Sequence, residues 1–179
     1  MGRIQLKDKY FVPYIPYKKI EAAIDKVAEK INRDFKNTND TPILLCVLNG
    51  SIMFTSELMK RLNFKLELSS IKLSSYEGTL STGVTRKVIG LTSSIRNRTV
   101  IIVEDIVDTG KTINDLHDLI LEAGANDVRV CTMLLKPDVY KGGVDLDYVG
   151  MEIENKFIVG FGLDYDQLGR NLTDIYILD

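Results

Sequence analysis

Residues 100–112 read Val-Ile-Ile-Val-Glu-Asp-Ile-Val-Asp-Thr-Gly-Lys-Thr. An apolar run leads straight into two adjacent carboxylates, Glu104 and Asp105. A third, Asp108, comes three residues later, and Thr109-Gly110-Lys111-Thr112 then opens a helix. A helix start exposes unpaired N–H groups and the positive end of the helix dipole, so it can bind phosphate. Gly110 lets the backbone come close, and Thr109 and Thr112 add hydroxyl donors. Glu104 and Asp105 are acceptors held beside that phosphate, suited to the two hydroxyls of a ribose or to Mg²⁺. A sugar phosphate fits this arrangement better than free phosphate does.

Gly110-Lys111-Thr112 also matches the tail of the nucleoside-triphosphate P-loop. That motif requires glycine five residues before Gly110. Asp105 stands there, and its carboxylate would repel a triphosphate. A plain helix cap needs one Asp or Thr, not three acids and two threonines.

The elements that must hold these residues are legible from periodicity. Ile20, Ile24, Val27 and Ile31 form one stripe, which predicts a helix from about Tyr17 to Phe35 started by Pro16. Ile43 to Leu48 is apolar at every position, the pattern of a buried strand. Asn49-Gly50-Ser51 breaks it, and a helix is expected through Leu58 to Leu62. A strand is expected over Leu66 to Leu73, a polar mobile loop over Ser74 to Thr85, and a short strand over Lys87 to Leu91. Thr99 to Val103 reads as a strand and Lys111 to Ala123 as a helix stopped by Gly124. Val128 to Leu135 reads as another strand, and short strands with loops complete the chain. Buried strands alternating with helices imply an α/β fold with a mainly parallel sheet flanked by helices. Ligands of such sheets bind outside the carboxyl ends of the strands, so the loops after Leu48, Val103 and Leu135 are the ones to inspect.

Composition narrows the function classes. The 179 residues fit one domain with a small accessory flap, and 45% hydrophobic residues suffice for a core. A net charge of -2 argues against a nucleic-acid footprint. No run of about 18 apolar residues predicts a membrane span, and residues 1–9 lack a signal-peptide apolar region. Cys46 and Cys131 each sit in an apolar run, as buried free thiols of a reducing cytoplasm do. His117 is the sole histidine, which excludes a multi-histidine metal site; its polar neighbours place it on the surface.

The segment around Glu104 resembles the signature with which type I phosphoribosyltransferases bind phosphoribosyl pyrophosphate (PRPP). Ser75-Tyr76 followed by Ser81-Thr82-Gly83, Leu134-Leu135-Lys136-Pro137, and the run from Lys156 through Phe157, Ile158 and Gly162 to Asp164-Tyr165 resemble the hypoxanthine-guanine branch. These matches extend over about residues 43–178. The resemblance implies a type I fold over residues 1–179, with a small hood from both chain termini. It implies that Asp108, Thr109, Gly110, Lys111 and Thr112 hold the 5-phosphate, and that Glu104 and Asp105 bind the ribose hydroxyls, partly through Mg²⁺. Asp108 would be the catalytic acid/base at N7 of the purine. Lys136 would meet the C6 oxygen, Phe157 would stack on the base, and the Ile158 backbone would bond its edge. Asp164, near the base, would help bind a second Mg²⁺ and Arg170 the pyrophosphate, with backbone N–H groups of Asn49 and Gly50. Ser75 and Tyr76 would ride on the mobile loop, and the resemblance leaves the Leu48–Asn49 bond open between cis and trans. The family also implies a cytoplasmic homodimer or homotetramer acting on PRPP and a 6-oxopurine, with no nucleic acid or membrane partner.

The chain departs from the family pattern in three places. Asn49 stands where a basic residue is common, Val139-Tyr140 where arginines often follow the Lys-Pro pair, and Glu154-Asn155 where Pro-Asp is frequent. Two alternatives stay open. One is a sibling transferase for xanthine, adenine, orotate or uracil. The other is a PRPP-sensing regulator on the same fold, which should show a basic face for nucleic acid.

Overall fold

The computed structural model describes residues 2–74, 87–89 and 94–179. In chain order the elements are β1 (Ile4–Leu6), β2 (Lys9–Ile15), α1 (Tyr17–Asp34), β3 (Ile43–Leu48), α2 (Ile52–Met59), β4 (Glu67–Ser74) and β5 (Lys87–Ile89). There follow β6 (Thr99–Val107), α3 (Lys111–Glu122), β7 (Asp127–Leu135), β8 (Tyr148–Glu152), β9 (Ile158–Val159) and β10 (Ile175–Leu178).

The apolar runs build a six-stranded sheet in the order β5-β4-β3-β6-β7-β8. Every neighbouring pair is parallel except β4 and β5. Alternation along the strands feeds two cores. Leu44, Ile101, Val103 and Met133 pack with Ile20, Ile24 and Ile31 of α1 and with Phe54 and Leu58 of α2. Ile43, Leu45, Val100 and Ile102 pack with Ile113, Leu116 and Ile120 of α3. Full burial of one such side chain contributes about 1.5–3 kcal/mol, so helices on both faces are what a sheet with two apolar faces requires. Cys46 and Cys131 are buried free thiols. Among the described residues no helix is long and apolar enough to cross a membrane.

A second, antiparallel sheet has the order β1-β2-β10-β9 and joins both ends of the chain. Its β1 and β2 were not expected from sequence. Pro13 obscures the strand pattern, because proline cannot donate to a ladder. It is tolerated because β1 pairs only with Lys9, Tyr10 and Phe11, and because β10 shifts register between Ile175 and Tyr176, where it meets Pro13.

Four other expectations are corrected. The strand from Thr99 does not stop at Val103; it runs on to Val107, because β7 keeps pairing with it as far as Leu135. The helix after Ser51 stops at Met59, and turns cover residues 60 and 61. His117 is half-buried on α3, with Nδ1 enclosed and lacking a hydrogen-bond partner. Ser74, where a loop was expected to begin, ends β4; Ser75, Tyr76 and residues 77–85 of that expected loop lie outside the described residues.

Candidate active site

Because β3, β6 and β7 are parallel, their carboxyl ends deliver three loops to one edge of the sheet. The central loop follows β6. Ile106 packs with the α1/α2 core and Val107 with the α3 core, the reverse of the alternation from Val100 to Val103, so the pleat changes phase across Glu104 and Asp105. Gly110 caps α3 with φ 88°, a left-handed conformation that glycine adopts without strain. The first hydrogen bond of α3 runs from the Asn114 N–H to the Gly110 carbonyl, at 2.9 Å. The amides before it are the unpaired donors of a helix start. A cavity of about 210 Å³ opens there, lined by residues 104–113 without a break.

Glu104 is half-buried, yet its Oε2 is enclosed and has no hydrogen-bond partner. Burial first, and then the neighbouring charge of Asp105, raise the Glu104 carboxyl well above its ordinary range. Asp105 Oδ1 accepts from the Ile106 N–H at 2.9 Å, and its carboxyl lies against the Cα of Gly50. Among the described residues no lysine or arginine forms an ion pair with Glu104 or Asp105. Two adjacent acids with one orphaned oxygen and no cationic partner fit a divalent cation.

The loop after β3 contains the cis Leu48–Asn49 peptide. Gly162 sits so close to the Gly50 carbonyl that a side chain there would overlap it. Gly50 thus touches Asp105 on one side and the 160–170 loop on the other. Within that loop Asp164 is fully engaged: Oδ1 pairs with Arg170 Nη2 at 2.7 Å and Oδ2 accepts from the Gln167 N–H at 2.8 Å. Arg170 Nη1 also donates to the Gly162 carbonyl at 2.8 Å. Asp164 therefore stands apart from the Glu104–Asp105 pair, and no cluster of three metal-ligating side chains occurs among the described residues.

The third loop begins at Lys136, which is buried although charged. Its Nζ donates to Asp108 Oδ2 at 3.0 Å and to Asn155 Oδ1 at 3.3 Å. Asn155 precedes Phe157, a residue 48% exposed despite its size. Phe11 of β2 and Tyr165 support its ring, with centroids 6.2 Å and 5.9 Å away. The edge of the sheet therefore offers a phosphate cradle, two free acids, a lysine–aspartate pair and an exposed aromatic face. Such a set can hold a sugar phosphate beside a flat heterocycle and take a proton from the heterocycle.

Residues 16–166 match the model of the phosphoribosyl transferase domain. The chain belongs to the phosphoribosyltransferase family. A hypoxanthine-guanine phosphoribosyltransferase of Streptococcus mutans is 39% identical over 154 residues, covering 86% of this chain and 84% of that one. Its Streptococcus pneumoniae counterpart is 38% identical over 92% of this chain and 91% of its own. Among solved structures, a hypoxanthine phosphoribosyltransferase of Trypanosoma cruzi superposes with TM-score 0.85 at 31% identity, covering 98% and 95% of the two chains. One from Staphylococcus aureus gives TM-score 0.82 at 32% identity, covering 93% and 90%.

Within this phosphoribosyltransferase, the residues singled out from sequence gather in two groups. Glu104, Asp105, Asp108 to Thr112, Lys136 and Gly50 converge on the end of β6 through the contacts above. Phe157, Ile158, Asp164 and Arg170 lie on the 155–170 segment, which meets the first group where Gly162 approaches Gly50 and where Asn155 accepts from Lys136. Sequence reasoning missed four contributors. Tyr140 covers Gly110 with its ring and donates to the Val144 carbonyl at 2.5 Å. Asn114 clamps the same loop, donating to the Gly142 carbonyl at 3.0 Å and accepting from the Val144 N–H at 3.1 Å. Phe11 supports Phe157, and Asn155 holds Lys136. Only the departure of Tyr140 and Asn155 from the family pattern gave a signal.

Proposed function

We propose that this phosphoribosyltransferase joins hypoxanthine or guanine to the ribose 5-phosphate of PRPP, releasing pyrophosphate, as a cytoplasmic enzyme of purine salvage. The observation that carries the base assignment is the Lys136–Asp108 pair beside the exposed ring of Phe157. A purine with a carbonyl oxygen at C6 carries N7 next to it. A lysine donor and a carboxylate acceptor 3.0 Å apart match those two neighbouring atoms. Phe157 would stack on the base, and the Ile158 backbone would bond its edge.

The N–H groups and hydroxyls from Asp108 to Thr112 would hold the 5-phosphate. Glu104 and Asp105 would take the ribose hydroxyls and share Mg²⁺, which neutralises charge on the departing pyrophosphate when bound. Backbone N–H groups of Asn49 and Gly50 would receive pyrophosphate, as would Arg170 once released from Asp164; Asp164 would then be free for a second Mg²⁺. In the reaction the bond from C1 of ribose to the pyrophosphate oxygen breaks and a bond from C1 to a ring nitrogen forms. Asp108 accepts the proton from N7. Positioning of two substrates supplies much of the remaining acceleration.

The test compares hypoxanthine with adenine as acceptor. Adenine presents an amino group where Lys136 needs an acceptor. A hydrogen bond to a charged donor is worth about tenfold or more in binding. Lys136→Met should lower kcat/KM for hypoxanthine by that factor and leave any weak adenine activity unchanged. An unmoved hypoxanthine-to-adenine ratio overturns the base assignment.

A further inference from the structure

Lys136 is the only buried charged residue among the described residues, at 8% exposure. An ammonium has three N–H donors and no acceptor. Two of the three have partners here: Asp108 Oδ2 at 3.0 Å and Asn155 Oδ1 at 3.3 Å. The third is left for a ligand. Asp108 alone cannot fix its direction, because a lysine on its flexible four-carbon stem can swing around a carboxylate. A second acceptor from another segment removes that freedom.

Asn155 is that second acceptor. It comes from the exposed turn before β9, two residues from Phe157 and 19 residues from Lys136. We propose that Asn155 is a positioning residue: it aims the third N–H of Lys136 at the C6 oxygen of the base and thereby sets the preference for a 6-oxo over a 6-amino purine. This rests on the reading of Lys136 as the base-recognising group.

The experiment compares wild type, Asn155→Ala, Asn155→Asp, Lys136→Met and the double variant Asn155→Ala/Lys136→Met. KM for hypoxanthine and for PRPP is measured together with the hypoxanthine-to-adenine ratio of kcat/KM. With one hydrogen bond removed, Asn155→Ala should raise KM for hypoxanthine about three- to tenfold and lower the ratio equally. KM for PRPP and the melting temperature should stay put, because the side chain is exposed. Asn155→Asp keeps the acceptor and adds only a solvent-screened charge, so it should return KM to within about twofold of wild type. Once Lys136 is methionine, Asn155→Ala should have no further effect. If Lys136→Met lowers the ratio and Asn155→Ala does not, the inference is overturned while the role of Lys136 stands. An equal effect of Asn155→Ala in both backgrounds also overturns it, because Asn155 then acts without Lys136. If Lys136→Met leaves the ratio unchanged, the base assignment fails and the inference with it.

Discussion

The carboxyl of Asp105 rests directly on the Cα of Gly50, with no room between them for a methyl group. The loop after β3 thus sets where the acid on β6 stands. The prediction is that Gly50→Ala pushes Asp105 aside without unfolding the sheet. A misplacement of about 1 Å can cost roughly 100-fold in rate. The variant should lose activity on that scale while its melting temperature stays near that of wild type. Wild-type kcat/KM in a folded variant would remove Asp105 from the machinery.

Asp108 is half-exposed and, among the described residues, has one charged partner, Lys136. As the proton acceptor it should show a large kcat effect. Asp108→Asn is expected to lower kcat about 100-fold or more, while PRPP still binds to the backbone cradle of residues 109–112. The check is single-turnover kinetics beside equilibrium PRPP binding. An unchanged kcat would exclude Asp108 as the base.

Phe157 has an apolar side chain, yet it is exposed and propped on Phe11 and Tyr165. Aromatic contact adds about 0.5–1.5 kcal/mol beyond area burial. Phe157→Leu should raise KM for the base by about two- to twelvefold and spare KM for PRPP. Unfolding without a selective loss would mean that the ring serves the core instead.

Glu104 makes stability depend on pH. Its carboxyl ionises at about 4.5 in the unfolded chain and well above that in the folded protein, through burial first and Asp105 second. Between those two values the unfolded chain has released a proton that the folded protein keeps, so stability falls as pH rises through that window. Glu104→Gln imitates the protonated form. In EDTA without PRPP, its melting temperature should match wild type near pH 4 and exceed it at pH 8. A lower value at pH 8 would contradict the raised ionisation.

What the sequence made legible was whatever it writes locally. Ile43–Leu48 and Val100–Val103 are visible because a strand buried on both faces is apolar throughout. The α1 stripe at Ile20, Ile24, Val27 and Ile31 is equally visible. The strand from Glu104 to Val107 was hidden because its acids interrupt the apolar run while the ladder with β7 continues. The N-terminal β1 and β2 were hidden by Pro13 and by partners at the far end of the chain. In the site, the 104–112 motif carries its chemistry in adjacent residues. The bond from Asn155 to Lys136 and the contact of Gly50 with Asp105 exist only after folding, so no spacing announces them.

The most direct measurement supplies the protein with PRPP, Mg²⁺ and one base at a time, and follows nucleotide and pyrophosphate together. Hypoxanthine, guanine, xanthine, adenine, orotate and uracil form the panel. One nucleotide per pyrophosphate is expected with hypoxanthine or guanine, and turnover is expected to be lost in EDTA. Turnover with orotate, uracil or adenine in preference to the 6-oxopurines, or PRPP binding with no transfer to any base, would contradict the proposed function.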